Sequence, residues 1–212
     1  YCASLRAADL LERQLKLLNT VLPELPSILL GRRNPLELLF PDGKMDLLES
    51  IYREHPVSRH FNDILAGQAE MYVRERLRQD PDYRLRLLEI GAGTGGTSDR
   101  LFSILSPYAD RIEEYAYTDL SAAFLQHAQN KYVGIAPYLS TCRPDIEKTP
   151  ESQGFPQGGY DLVIAANVLH ATRDMNLTLQ HCGSLLRKNG LLLLNELAGS
   201  SMFTHLTFGL LE

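Results

Sequence analysis

One short apolar segment and the glycines that follow it limit most strongly what this chain can fold into. The segment 85–90 runs directly into Gly-Ala-Gly-Thr-Gly-Gly at 91–96, and a helical pattern follows to Leu105. Glycine lets the backbone adopt positive φ and lets a ligand approach the main chain closely. A strand that turns through glycines into a helix is typical of open α/β sheets that bind ligands at this turn.

The pattern of strand, loop and helix then repeats along the chain. Four further apolar segments predict strands at 115–118, 138–142, 161–166 and 191–194. Helical patterns between them are predicted at 96–105, 122–131 and 175–186. Near-continuous apolar strands that alternate with helices predict a doubly wound, mainly parallel Rossmann-like α/β sheet.

The first part of the chain has only helical patterns of apolar residues, without predicted strands. Leucines recur at helical spacing before Pro23, and further helical patterns cover 45–53 and 61–78. We therefore predict two domains: an N-terminal helical cap or lid at 1–82 and a ligand-binding core at 83–212.

The composition of the chain limits the classes of binding partner and the cellular compartments that we expect. The 212 residues carry a net charge of −5, which argues against a nucleic-acid backbone as the main partner. Three widely spaced cysteines suggest neither a disulfide framework nor a metal site, and suit a reducing cytoplasm. No apolar run reaches about 18 residues, so no membrane span is predicted. The first residues include neither an initiator Met nor a signal-peptide pattern, so we expect a piece of a longer protein.

The glycine loop fits two classes of ligand. Its spacing satisfies the G-x-G-x-x-G of dinucleotide-binding folds. An E-x-G-x-G-x-G order fits equally well and comprises Glu89, Gly91, Gly93 and Gly95. A carboxylate gains nothing beside an anionic pyrophosphate but suits a cationic methionine group, so Glu89 favours the second class slightly. A tight turn without any ligand is the alternative.

Two later carboxylates extend the predicted ligand site. Asp119 ends the second predicted strand, where it can accept hydrogen bonds from ribose hydroxyls. It can equally serve as a helix cap, together with Ser121. Asp145 follows the third strand and is a weaker candidate, for the adenine amino group, since a solvated acidic loop explains it nearly as well.

A histidine and a glutamate follow the fourth and fifth strands. His170 lies in Asn-Val-Leu-His-Ala-Thr at 167–172, and Glu196 ends Leu-Leu-Leu-Asn-Glu at 192–196. If these strands are neighbours, the two side chains meet at the carboxyl edge of the sheet, where open α/β sheets bind ligands. A carboxylate that fixes the tautomer of an imidazole makes it a better general base. A structural histidine is the alternative for His170 alone.

Several blocks of sequence carry a resemblance to a known family. They are 34–41, 87–97, 117–121, 160–172, 192–196 and 203–212. Together they resemble the carbon-methyltransferase domains of modular polyketide synthases, which are class I S-adenosylmethionine-dependent methyltransferases. The Asn-Val-Leu-His-Ala-Thr block is the most specific of them, and with Glu196 it argues against a dinucleotide.

The resemblance implies a function and a partner. The chain would transfer a methyl group from S-adenosylmethionine, without a metal, to the α-carbon of a β-ketoacyl thioester. The thioester would be carried by the phosphopantetheine of an acyl carrier protein, among neighbouring synthase domains. His170 would be the general base and Glu196 its partner.

The resemblance also extends the set of predicted contacts. Leu120, Ile146 and Asn167 join the expected cofactor-binding residues, and Tyr52, Phe61 and Asn62 are candidates to close over cofactor or substrate. The family's sheet has seven strands, whereas five are found here, so we expect the C-terminal strands to be missing from this chain. Three alternatives remain open: an oxygen methyltransferase of the same synthases, a non-catalytic structural domain, and a Rossmann dehydrogenase that binds NAD.

Overall fold

The computed structural model describes residues 2–39 and 56–196, together with residues 199, 202, 206 and 210. The chain divides into two compact units. Tyr1–Arg59 and Leu197–Glu212 form the first unit, and His60–Glu196 forms the second. Among the described residues, no helix has both the length and the apolar character needed to cross a membrane.

Residues 2–39 of the first unit contain three α-helices: α1 (Cys2–Val21), α2 (Leu25–Leu29) and α3 (Pro35–Leu39). A short 3₁₀ turn at Leu22–Glu24 follows α1, because Pro23 has no N–H with which to continue the helical hydrogen bonds. Leu17, Val21 and Leu39 are fully buried or nearly so. The helix predicted at 45–53 lies outside the described residues.

A five-stranded parallel sheet organises the second unit, with strand order β3-β2-β1-β4-β5. The strands are β1 (Leu85–Ile90), β2 (Ile112–Thr118), β3 (Leu139–Cys142), β4 (Tyr160–Ala166) and β5 (Leu186–Asn195). This confirms the predicted doubly wound parallel sheet. The order reverses between β1 and β4, and ligands bind such sheets at the carboxyl ends of the strands beside this reversal.

Helices cover both faces of the sheet. They are α4 (Pro56–Gln79), α5 (Gly96–Leu105), α6 (Ala122–Tyr132) and α7 (Met175–Leu185). Neighbouring residues of a strand point to opposite faces, so Leu87 packs in one buried cluster and Leu88 in the other. The first cluster takes in residues of α4, α5 and α6, and the second takes in residues of α7. Both faces of the central strands are therefore buried, which explains their near-continuous apolar sequence.

The structure differs from the predicted boundaries where charged residues enter strands. Strand β2 begins at Ile112 rather than 115, and its Glu114 forms an ion pair with Arg86 of β1 at 2.6 Å. Helix α4 contributes buried side chains such as Ala69 and Val73 to the sheet's own core. Most of this helix therefore groups with the sheet, whereas the sequence placed it in the cap that ends at residue 82.

Asp161 ties the amino ends of the central strands together. The side chain is 1% exposed and accepts hydrogen bonds from the Tyr83 hydroxyl at 2.7 Å and the Arg86 backbone N–H at 2.8 Å. Arg187, at the start of β5, donates to the same carboxylate at 3.0 Å. This pairing explains why β5 begins five residues before the predicted apolar run, since an arginine is tolerated there.

Replacement of Asp161 by alanine is expected to destabilise the fold by about 3 kcal/mol, because a buried N–H, a hydroxyl and a guanidinium lose their acceptor together. Urea unfolding followed by circular dichroism measures this change. Asp82→Ala is the matched control: its carboxylate also pairs with an arginine but is 92% exposed, so about 0–1 kcal/mol is expected. Equal losses in the two variants would contradict the role given to Asp161.

Candidate active site

The loop between β1 and α5 owes its shape to close packing at two of its glycines. Gly91 has φ 59°, and a Cβ there would lie 2.2 Å from Cγ2 of Val168. Gly95 has φ 81°, and a Cβ there would lie 2.3 Å from the hydroxyl oxygen of Tyr132. The first contact sets the loop directly against the turn that follows β4.

Gly93 differs from its neighbours because its surroundings are open. A Cβ there would find nothing nearer than the Gly91 carbonyl oxygen at 3.9 Å, although φ is 58°. Its N–H donates to Asp119 Oδ2 at 2.9 Å, and its carbonyl accepts from the Tyr117 hydroxyl at 2.7 Å. The loop is therefore held from within the protein and leaves backbone accessible at Gly93, an arrangement that fits a ligand lying along it.

Asp119 lies beside this open backbone, at the end of β2. Its Oδ1 accepts from the Ser121 N–H at 2.7 Å and its Oδ2 from Gly93. Burial raises the pKa of Asp119 above its ordinary value, although the two N–H groups oppose that shift. A carboxylate oxygen has two lone pairs, so each oxygen keeps one for a ligand hydroxyl. Ser121 is the N-cap residue of α6, but its side chain makes no capping hydrogen bond, and Asp119 accepts the N–H of Ser121 rather than one inside the helix, so the predicted cap is not found. The ribose contact of Asp119 stays a prediction.

Glu89 lies inside the core rather than at the open surface of the loop. The side chain is 1% exposed, and its Oε2 accepts from Ser98 Oγ at 2.6 Å and from the Tyr115 hydroxyl at 2.5 Å. Burial raises the pKa of Glu89 to about 7, while these two hydrogen bonds act in the opposite direction. The carboxyl therefore joins β1, β2 and α5 beneath the loop, whereas the sequence suggested a place beside a cationic ligand group.

Sequence reasoning missed three tyrosines that brace the loop. Tyr115 reaches Glu89, and Tyr117 reaches the Gly93 carbonyl. The Tyr132 hydroxyl lies 2.7 Å from a carboxylate oxygen of Asp99 and 3.2 Å from the Gly95 carbonyl oxygen, two acceptors for its single hydrogen. The signal was present for two of them, since Tyr115 and Tyr117 are two residues apart on a strand and so share a face. All three are almost fully buried.

The segment after β3 carries the weaker ligand candidates. Asp145 pairs with Lys148 at 3.1 Å, and this hydrogen bond is the main reason why the pKa of Asp145 lies below its ordinary value. Ile146 packs against the second buried cluster, and its carbonyl lies 2.7 Å from Nδ1 of His181. Leu120, in the neighbouring loop, is 60% exposed, and its carbonyl accepts from Arg143.

Glu196 organises the turn that follows β4. Its Oε1 accepts hydrogen bonds from the backbone N–H groups of Val168 at 3.1 Å and Leu169 at 2.8 Å. Its Oε2 lies 2.7 Å from Nδ1 of His170. The structure thus brings His170 and Glu196 together at the carboxyl edge, where the sequence placed them.

Asn167 begins the same turn in the left-handed region, with φ 54°. Its N–H donates to the Asn195 carbonyl at 2.7 Å, which fixes the turn to the end of β5. Asparagine tolerates this conformation better than most residues, which gives the position a structural reason beside its predicted ligand contact. His170 then lies on a short 3₁₀ turn, Leu169–Ala171, with its side chain 45% exposed.

The lid candidates fall in different places. Tyr52 lies outside the described residues. Phe61 is exposed on α4. Asn62 is half-buried, and its Oδ1 accepts from Thr97 Oγ1 at 3.2 Å and from Asn195 Nδ2 at 3.4 Å. In the part of the chain that the structure describes, no group of three or more histidine, cysteine or acidic side chains is arranged to hold a metal ion.

Comparisons with known proteins identify the family to which this sequence is similar. A family model described as a methyltransferase domain matches residues 88–192. The polyketide synthase PksR of Bacillus subtilis (strain 168) is 50% identical over 196 residues, which is 92% of this chain and 8% of that protein.

Two solved structures extend the likeness to the fold. The DszA carbon methyltransferase has a TM-score of 0.86 and 34% identity, over 94% of this chain and 51% of its own. The trans-methyltransferase CalH, solved in complex with SAH, has a TM-score of 0.71 and 34% identity, over 91% of this chain and 50% of its own. The chain thus spans about half of these solved chains and less than a tenth of the synthase. The resemblance predicted from the sequence blocks is confirmed.

Gly95→Ala is expected to lower stability by about 3 kcal/mol, because the new Cβ meets a buried hydroxyl and φ is positive. Tyr132→Phe in the same chain removes that hydroxyl, so the double variant should be about 1–2 kcal/mol more stable than the sum of the single losses predicts. Thermal and urea unfolding of the four proteins measure this coupling. Gly93→Ala is the matched control: it has a similar φ without the collision, so about 1–2 kcal/mol is expected. Strict additivity would contradict the proposed packing.

Glu89→Gln is expected to change how stability depends on pH. The carboxyl titrates at 4.5 in the unfolded chain and at about 7 in the folded protein, so between these values the folded state holds a proton that the unfolded chain has released. Stability from this group therefore falls as pH rises from about 4.5 to about 7. Glutamine cannot titrate, so the variant does not lose this stability. Its free energy of unfolding, relative to that of the parent protein, should rise by up to about 3 kcal/mol from pH 5 to pH 8. A constant difference in urea unfolding at the two pH values would exclude this titration.

Proposed function

The chain belongs to the methyltransferase domains of polyketide synthases, and from that premise we propose that it methylates the α-carbon of a β-ketoacyl thioester. The observation that carries the proposal is the contact of 2.7 Å between His170 Nδ1 and Glu196 Oε2. It lies at the carboxyl edge of β4 and β5, and Val168 of the same turn packs on Gly91 of the glycine loop.

The glycine loop supports S-adenosylmethionine as the methyl donor. The open backbone at Gly93 and the spare lone pairs of Asp119 would hold the ribose end, with Leu120, Asp145, Ile146 and Asn167 as further contacts. S-adenosylmethionine supplies an electrophilic methyl group that a carbon nucleophile can take. The buried Glu89 keeps the loop in shape from beneath.

His170 and Glu196 supply the nucleophile. A glutamate that accepts the Nδ1–H of the imidazole leaves Nε2 unprotonated and able to accept a proton. The α-carbon of a β-ketoacyl thioester is acidic because two carbonyls share the charge that its deprotonation creates. His170 Nε2 takes this proton, the C–H electron pair becomes the enolate, and the Glu196 carboxylate stabilises the imidazolium that forms.

The hydrogen bonds of Glu196 support the proposed orientation of His170 as the base. Glu196 Oε1 already holds two backbone N–H groups of the turn, so its carboxylate has little freedom to rotate. His170 is held by this fixed partner, and its side chain is 45% exposed. A base that is oriented before the substrate arrives loses less entropy during the reaction.

The substrate carrier follows from the family. An acyl thioester on the phosphopantetheine of an acyl carrier protein is the proposed form of the substrate, with other synthase domains as neighbours. Phe61, exposed on α4, and Tyr52 remain proposed contacts for substrate or cofactor. The helical N-terminal part of the chain is proposed to act as a cap.

The direct test uses the purified protein, S-adenosylmethionine, and two acyl thioesters, one β-keto and one β-hydroxy. Fragment analysis by mass spectrometry locates the added methyl group, and binding of NAD is measured separately. Methylation of the α-carbon, lost in His170→Ala with cofactor affinity retained, is the expected result. Methyl on oxygen would assign the oxygen-methylating alternative. Cofactor binding without transfer would indicate a structural domain, and binding of NAD alone would overturn the proposal.

Glu196→Gln is expected to lower kcat by about 10²–10⁴-fold with little change in the affinity for S-adenosylmethionine. The glutamine carbonyl can still accept from the turn, but its amide N–H would donate to His170 Nδ1. The proton would then reside on Nε2, where it blocks the base. Glu113→Gln is the matched control, because Glu113 is exposed near the amino end of β2, away from the carboxyl edge of the sheet where His170 lies. Equal activity of the two variants would exclude Glu196 as the partner of the base.

A further inference from the structure

Asn62 connects the two halves of the site. Its Oδ1 accepts hydrogen bonds from Thr97 Oγ1 at 3.2 Å and from Asn195 Nδ2 at 3.4 Å. Thr97 is the second residue of α5, directly after the glycine loop, whereas Asn195 ends β5 and directly precedes Glu196. One acceptor oxygen thus joins α5, which follows the glycine loop, to β5, which ends one residue before Glu196.

The backbone carbonyl of Asn195 fixes the start of the turn that carries His170. Its carbonyl accepts the N–H of Asn167 at 2.7 Å, where the turn begins. The next residue, Glu196, holds the rest of the turn and the imidazole itself. A shift of Asn195 would therefore move His170 together with the turn and leave the contact between His170 and Glu196 intact.

The rest of α4 holds Asn62 in place. Leu65, Ala66 and Ala69, one to two turns further along, are buried in the sheet's core. Asp63 forms an ion pair with Arg100 of α5 at 3.0 Å, which ties the same two helices together beside Asn62. Thr97 is itself 7% exposed, so its hydroxyl has little access to water as an alternative partner.

We propose that Asn62 is a positioning residue that sets the distance between the glycine loop and the His170–Glu196 pair. The inference rests on the proposed function, in which the loop holds the methyl donor and the pair creates the carbon nucleophile. Methyl transfer needs both halves at the correct separation, and a displacement of about 1 Å in such a reaction can cost about 100-fold in rate. Removal of the α-proton needs only the pair.

This difference separates a positioning role from a general structural one. Exchange of the substrate's α-protons for deuterium, measured without cofactor in D₂O and corrected for the exchange that occurs without protein, reports on the His170–Glu196 pair and not on the loop. Methyl transfer reports on the pair and the loop together. Loss of Asn62 as an acceptor should therefore uncouple the two rates, whereas general damage to the fold would lower both.

The experiment uses the purified protein with a β-ketoacyl thioester of N-acetylcysteamine, a short mimic of phosphopantetheine. Asn62→Ala is expected to lower the rate of methyl transfer about 10–100-fold, with α-proton exchange within about threefold of the parent rate. Asn62→Asp should recover most of the loss, because a carboxylate oxygen can accept the same two hydrogen bonds. Asn130→Asp, an equal change at an exposed position of α6, is the control for the added charge.

Thr97→Val provides a second route if Asn62→Ala fails to fold, as judged by thermal melting. It keeps the shape of the side chain but removes one of the two donors, so the same uncoupling is expected in weaker form. Equal losses of exchange and transfer, or no loss of transfer, would overturn the role of Asn62, as would an aspartate variant as impaired as the alanine variant. Failure of the parent protein to catalyse either reaction would instead overturn the proposed function.

Discussion

The packing of Val168 on Gly91 is the contact on which the rest of the site depends. A Cβ at Gly91 would lie 2.2 Å from the valine side chain, so only glycine lets the turn after β4 approach the loop after β1 so closely. The two strands are hydrogen-bonded neighbours, and Ile90 pairs with Ala165 just below this contact. The glycine loop and the turn that carries His170 are consequently packed against one another.

Glu196 then determines what the turn can do. One carboxylate accepts two backbone N–H groups and faces an imidazole nitrogen, so the turn's shape and the orientation of His170 share one cause. Any change at Glu196 therefore alters the backbone of the turn as well as the orientation of His170. This is the reason why glutamine, which can keep one set of hydrogen bonds and reverse the other, is a more informative replacement than alanine.

Much of this architecture could be predicted from the sequence, and the exceptions share a physical reason. Strand β1 and helix α5 were predicted with their observed ends, because glycines mark the boundary of an uninterrupted apolar run. The starts of β2 and β5 were missed because Glu114 and Arg187 are neutralised by Arg86 and Asp161, partners that are distant in sequence. The pairing of His170 with Glu196 was predictable because both follow strands whose carboxyl ends meet at one edge.

The interior of the loop could not be predicted in the same way. Glu89 reads from sequence as a ligand-facing acid, since nothing local shows that Ser98 and Tyr115 will enclose it. Enclosure raises the pKa of its carboxyl to about 7, and a group that is neutral over part of the physiological range is less costly to bury than a fixed charge. Beneath the loop, the Tyr115 hydroxyl donates to Glu89 and the Tyr117 hydroxyl donates to the Gly93 carbonyl. The loop thus takes its shape from contacts within the protein, and a segment held in this way needs less binding energy to order it.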